Sequence, residues 1–562
     1  MKKIFNSRAL ALILVLAMAV SLLTISASAT TISKVSIAEG EPVAIDWTQA
    51  GTTYTGTIVN SATLSSTVYS MPSSFTLWTE GEATFEAGTG ITVTAIGASA
   101  DETNYSYKVD VSGIASGSTA TLVVTISSGT YTVALPSATP ISAGGTKPTS
   151  VLSYAPLGQF ARGNGWGSIY SNYANVAGST ASDALVKFAT GTGYESTGVS
   201  LGAFGGYIDF YFQGGITNDA KNPYGVDFVI YGNAFNANPE AGAVQVSEDG
   251  ITWYELAGSM YYDGNFNYTG EAGASRISNA YTGTLRNATI SYSQDSVIKA
   301  TVKDASGATK INAAQFVAST AWWPTVLKGY PAIAAHINSN ATSTSNVQVT
   351  CNDTVFSSTG VTLIPDSNTT ADYAFGYADV TPNGSPASYG DAVNPYTPYT
   401  SSKTGGDGFD LEWAVDITTG LPVDVTDMTF RYVRVYSAVL DNGMFGETST
   451  EVCGIFTTAN KATASVGTTA APTTVTVGGT AVTLSKTASG IQPVTIPKNT
   501  ATDVVVTGGS NSHIYINNTY GAGTATNSFT LARNATQIVR VIVQDNSTAQ
   551  PYVGYVMLKG GK

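Results

Sequence analysis

Four acids crowd into one short stretch, GGDGFDLEWAVD (405–416), of a chain that is only 11% charged. Three chemistries suit Asp407, Asp410, Glu412 and Asp416. Clustered carboxylates on a loop suit calcium, a hard cation that takes oxygen ligands, and Asp407 and Asp410 are the candidates for it. A facing pair of carboxylates suits acid–base work on a glycosidic bond. The third reading is structural. Laid out as a strand, the stretch puts Leu411, Trp413 and Val415 on one face and Asp410, Glu412 and Asp416 on the other. Gly405 and Gly406 then make the turn before it, and Asp407 caps backbone amides there.

Other chemistry has little to work with. GVSLG (198–202) matches the G-x-S-x-G nucleophile pattern. That elbow needs a helix after the serine, whereas GGYIDFYF follows with the alternation of a strand, so Ser200 reads as a strand residue. Two cysteines (Cys351, Cys453) and two histidines (His336, His513) are too few for a typical zinc site. The cysteines either pair or stay as free thiols. Asn233, in GNAF after the strand DFVIY, either fixes loop backbone or donates to a ligand. Trp166, Trp322 and Trp323 lie in Gly/Asn/Pro-containing segments and are candidate stacking platforms for a sugar ring, unless they pack in the sheets. Asp249–Gly250 marks a hairpin between VQVS and WYEL.

The elements that must hold these residues are strands. Gly, Thr, Ser, Val, Ala and Tyr dominate, and the Leu, Glu, Lys and Arg of long amphipathic helices are scarce. Residues 1–29 read as a secretory signal peptide. Lys2, Lys3 and Arg8 precede an apolar run that ends at Ala27-Ser28-Ala29. Its removal leaves 22 basic residues against 38 acids, a net charge of −16. Such a surface repels nucleic acid, and no later run is apolar enough to span a bilayer.

Alternating segments over 30–136 predict an N-terminal, Ig-like β-sandwich. A Pro/Ser/Gly-rich linker (137–150) follows, then a large β-domain (151–456) holding five of the seven tryptophans. A Thr/Ala linker (457–473) leads to a second small sandwich (474–562). DALVKFATG (183–191) is the one stretch that suggests a short helix.

The strings SLGAFGGYIDFYF, DFVIYGNAF, VQVSEDGITWYELAGS, FGYADV, GGDGFDLEWAVD, FRYVRVYSAV and GETSTEV occur in that order across 150–456. With them the middle region resembles a family of secreted bacterial cell-surface proteins with a discoidin-like, galactose-binding-like β-jelly roll. The tail is similar to cadherin-like β-sandwich domains of surface proteins. The resemblance implies an all-β chain, a central jelly roll flanked by smaller sandwiches. It carries over no catalytic residues and no organic cofactor. The positions that match its signatures are Gly205, Gly206, Asn233, Phe235, Asp249, Trp253, Asp407, Asp410, Trp413, Asp416, Glu447 and Glu451.

The function expected is binding at the cell surface, of an extracellular glycan or other small ligand, possible partners being cell-envelope components. A structural calcium at Asp407 and Asp410 is part of that expectation. Three alternatives stand beside it: a structural or adhesive surface-layer component, a polysaccharide-active enzyme, and capture of a nutrient such as a corrinoid.

Overall fold

Side chains that alternate apolar and polar can bury their apolar half only by forming sheets that pack in pairs. The computed structural model shows that outcome. It describes residues 34–37, 43–60, 71, 74–98, 104–115, 117–137, 147–148, 150–155, 198–234, 239–270, 281–294, 298–317, 356–365, 374–382, 389–397, 405–443 and 446–562. The signal-peptide expectation, the short helix at 183–191, Trp166, Trp322, Trp323 and Cys351 lie outside the described residues. The chain is all-β, as its composition dictates, and divides into two compact units, 1–141 and 142–562.

The first unit is a sandwich of a four-stranded and a five-stranded sheet. Leu77, Val109, Leu122, Val124, Tyr131 and Val133 are buried between them. The strands Thr119–Ile126 and Gly129–Pro136 pair with Ile126 opposite Gly129, so Ser127 and Ser128 form a tight turn.

In the second unit a six-stranded sheet runs in the order Ser150–Ala155, Tyr207–Ile216, Phe430–Ser437, Gly242–Ser247, Trp253–Leu256, Ala414–Asp416. Ile208, Phe210, Val433, Val435, Val244 and Val246 share one of its faces and are wholly buried. A three-stranded sheet orders Asp407–Phe409, Phe228–Tyr231 and Gly454–Thr457. Phe228 stacks on Phe409, with ring centroids 5.1 Å apart. The hairpin at Asp249–Gly250 forms with a loop longer than two residues, because Ser247 pairs with Trp253. The Asp249 Oδ1 accepts from the N–H of Ile251 and Thr252, which holds that loop.

A four-stranded sheet built from Leu285–Gln294, Ile298–Lys303, Thr309–Val317 and Phe356–Leu363 adds a further layer. Its Ile290, Tyr292, Val302 and Leu363 pack with Phe204, Ala243 and Tyr436 of the central sandwich.

Residues 457–473, read in the sequence as a linker, run along the central sandwich. Thr458 N–H donates to the Asp227 carbonyl, Ala462 N–H to Lys221, and Val466 N–H to Ala220. The C-terminal sandwich, of four and five strands, packs against the centre within the same compact unit. Arg540 is 1% exposed, and its guanidinium donates to the carbonyls of Ala257 and Gly258 while lying over the rings of Tyr262 and Phe375. Tyr515 Oη donates to the Tyr396 carbonyl at 2.8 Å.

Candidate functional site

The stretch 405–416 is not one strand. Gly405 and Gly406 take φ of +127° and +83°, in the region that favours glycine. A strand covers only Asp407–Phe409, a 3-10 turn follows over Leu411–Trp413, and a second strand covers Ala414–Asp416. Asp410 caps that turn, its Oδ1 accepting from Glu412 N–H at 2.8 Å. The turn breaks the period of two, so the acids do not share an outward face. Asp410 is 1% exposed and Asp407 6%. Trp413 is wholly buried and donates from Nε1 to Tyr396 Oη at 3.1 Å.

The two metal candidates look to different neighbours. Asp410 faces Tyr396, whose hydroxyl donates to Oδ2 at 3.3 Å, and stands near Asp227 and Glu412. Asp227 is itself buried; its Oδ2 accepts from Leu411 N–H at 2.8 Å and its Oδ1 from Asn222 Nδ2 at 2.6 Å. Burial pushes the Asp227 carboxyl up to about 7, against those hydrogen bonds. Asp407 accepts from Val380 N–H at 3.1 Å and adds its charge to the surroundings of Asp379. It lines a cavity of about 10 Å³, with Phe375, Thr381, Val393 and Pro395 among its walls. That is room for about one water-sized molecule.

Beyond Asp379 lies the strongest concentration of chemistry in the described residues. Glu240, Asp379 and Glu451 each offer a carboxylate oxygen, and the three lie within 4.8 Å of one another. Asp379 is wholly buried. Its Oδ1 accepts from the backbone N–H of Asn233 (2.7 Å) and Ala234 (2.8 Å), and its Oδ2 from Glu451 N–H (2.9 Å). Gly232 makes room: a Cβ there would sit 2.1 Å from Asp379 Oδ1. Glu451 Oε1 accepts from the hydroxyls of Ser200 (2.8 Å) and Ser449 (2.7 Å). Glu240 is half-buried, the most open of the three, and shares a side-chain hydrogen bond with Glu451.

Electrostatics follow from this crowding. Burial raises the Glu240 carboxyl well above the usual carboxylate range, and the charges of Glu451 and Asp379 raise it further. Burial also raises Asp379 and Glu451, while the hydrogen bonds donated to them pull the other way. Three carboxyl groups this close do not all stay ionised without a counter-charge. A shared proton supplies one, and a bound cation supplies another. Calcium–oxygen distances of roughly 2.4 Å put ligands on opposite sides of the ion roughly 4.8 Å apart. The three oxygens lie close enough together to share one cation, and Asp379 keeps one lone pair beyond its three N–H contacts.

Five of the sequence strings meet here: SLGAFGGY brings Ser200, GNAF the Asn233 and Ala234 amides, FGYADV Asp379, GGDGF Asp407, and GETSTEV Ser449 and Glu451. Sequence reading singled out Asn233 for its side chain, and the structure brings its main chain to the site. It passed over Glu240 and Asp379. The nearest signal for Asp379 was its place inside a string otherwise made of small and aromatic residues. Ser200 lies on the strand Val199–Ser200, paired with Glu451–Val452, and its hydroxyl meets the Ser449 hydroxyl and the Glu451 carboxylate, whereas His513, the one histidine among the described residues, bonds to Tyr520. Glu255 is 2% exposed and bonded to Tyr436 Oη at 2.6 Å and Gln245 Nε2 at 2.8 Å. Cys453 is wholly buried.

No protein-family model matches the chain, and no curated protein matches it. No helix among the described residues is long and apolar enough to cross a membrane.

Proposed function

We propose that the protein is an extracellular binding protein whose central jelly roll recognises a glycan through loops tied together by a structural calcium ion. The ion's ligands are Glu240, Asp379 and Glu451, in place of the pair Asp407 and Asp410 suggested by sequence. The observation that supports this reading is the meeting of three carboxylates from distant segments within 4.8 Å, with half-buried Glu240 as the entry side. Calcium there holds Glu240 and the 378–381 and 449–451 segments in one arrangement, and Asn233 stands beside them as a polar contact for ligand. A neutral glycan suits an acidic chain better than a polyanion does.

The test is thermal unfolding of the secreted chain in EDTA and with calcium titrated back. A saturable rise in Tm is expected, because a ligand of the folded state stabilises by mass action. Glu240→Gln abolishes the rise, and glycan-array signals obtained in calcium fall with it. An unchanged Tm at millimolar calcium sinks the cation reading and leaves the cluster as a proton-sharing group.

A further inference from the structure

Trp47, Trp78, Trp253 and Trp413 are the tryptophans among the described residues, and three of them are built into packing. Trp47 donates from Nε1 to the Val35 carbonyl, Trp253 to the Gly250 carbonyl and Trp413 to Tyr396 Oη. Each of these rings also meets another aromatic ring. Trp78 differs on both counts. It is 38% exposed, and among the described residues its Nε1 has no acceptor and its ring no aromatic partner.

Its place in the N-terminal sandwich gives the reason. The strand Ser74–Glu80 buries Phe75, Leu77 and Thr79 and turns Thr76, Trp78 and Glu80 to the outer face of the four-stranded sheet. The register sets Ser36 on one side of Trp78 and Ser106 on the other, with Gly97 beyond Ser106. None of these side chains is large enough to cover an indole. The next row on one side holds Glu80, paired with Lys34 at 3.6 Å, and Asn104. The next row on the other side holds Thr76, Lys108 and Thr94. Facing side chains on neighbouring antiparallel strands stand roughly 4.5–5.5 Å apart, so hydroxyl, amide and charged groups ring a bare aromatic face.

We propose that Trp78 is the floor of a saccharide site on the N-terminal sandwich, which takes one sugar ring of a neutral glycan. The C–H face of the sugar lies on the indole, and the hydroxyls at its edge meet Ser36, Ser106, Asn104 and the unused Nε1–H. Charge and size select this occupant. Lys34 and Lys108 balance Glu80 and Asp110 on this sheet, in a chain of net charge −13, so the face favours neither a polycation nor a polyanion. The apolar contact on offer is one indole, with the exposed Ile96 in the bulge beside Gly97. That falls far short of the roughly 800 Å² per partner of a stable protein interface, whereas a single ring with an apolar face and a polar edge matches it. The site belongs to the first compact unit and uses no cation, so it stands whether or not the calcium reading of the jelly roll holds.

The experiment is affinity electrophoresis of the whole secreted chain through gels containing a neutral polysaccharide (mixed-linkage β-glucan, galactomannan or xyloglucan), with polygalacturonate as the charged control. All gels contain EDTA, which silences calcium-dependent binding by the jelly roll. At least one neutral polymer is expected to retard the wild type. Trp78→Ala should weaken that retention roughly tenfold, the scale of losing one aromatic anchor, while Trp78→Phe keeps part of it and Glu240→Gln keeps all. The melting temperature of the N-terminal transition in Trp78→Ala should match the wild type, because the side chain faces solvent. Absence of retardation by every neutral polymer overturns the proposal, as does retardation that Trp78→Ala leaves intact or that only polygalacturonate produces. Retardation that appears only with calcium and is lost in Glu240→Gln also overturns it, and assigns the binding to the jelly roll instead.

Discussion

The Asp379 carboxylate accepts the backbone N–H of Glu451 at 2.9 Å across 72 residues of sequence. Asp379 holds a left-handed backbone, φ +61°, to do so. That conformation is uncommon outside glycine, asparagine and aspartate. The contact joins the FGYADV and GETSTEV segments, and the same carboxylate gathers the amides of Asn233 and Ala234.

Replacing Asp379 with alanine therefore strips acceptors from three amide donors, two of them buried. Leaving a buried donor unsatisfied costs about 1–3 kcal/mol. Urea unfolding of the variant is expected to show a loss of that size. Gly232→Ala should do comparable harm, because its added methyl lies 2.1 Å from Asp379 Oδ1. A wild-type midpoint for either variant contradicts the role given to this carboxylate.

Stability should fall as pH rises toward neutrality. Burial pushes Glu255 and Asp227 each up to about 7, above the roughly 4 of an exposed carboxyl. The folded state thus holds these protons more tightly than the unfolded one. Their contribution is fully present below about pH 4 and is lost as pH rises through about 7. Glu240 and Glu451 act with the same sign. Denaturant midpoints between pH 4 and 8 should decline, and Glu255→Gln should flatten part of the slope. If calcium occupies the cluster, saturating calcium removes the share owed to Glu240 and Glu451. A profile that rises over this range rejects the assignment.

Arg540 fastens the tail to the centre. Its guanidinium satisfies two carbonyls, Ala257 and Gly258, inside the packed region. A hydrogen bond from a charged donor is worth about 1.5–3 kcal/mol. Lysine cannot reproduce the fork, so Arg540→Lys should lower the melting temperature of 142–562 by several degrees. Calorimetry should show the centre and tail melting together, apart from the N-terminal sandwich. Separate melting of the tail argues against this coupling.

Asp410→Ala provides the contrast with the carboxylate cluster. It removes the cap on Glu412 N–H, which costs about 1 kcal/mol. Its calcium response should match the wild type, whereas that of Glu240→Gln should not. A lost calcium response in Asp410→Ala moves the proposed ion to the 405–416 stretch.

Sequence alone determined the class of this protein. Scarce helix formers, β-branched residues at every second position and Gly/Asn/Ser breaks leave sheets as the only way to bury the apolar half. The hairpin at Asp249–Gly250 was legible for the same local reason. The 405–416 stretch was not, because a period of two is a local pattern and Asp410 interrupts it by capping a turn whose Leu411 amide is held by distant Asp227. The joining of the tail to the centre was hidden too, since an arginine in a strand reads as exposed until Ala257 and Gly258 are brought to it. Glu240, Asp379 and Glu451 are ordinary acids in three separate segments. Only the folding of those segments together makes their charges neighbours, and proximity of charge, which depends on distance in space and not on spacing along the chain, is what gives them chemistry.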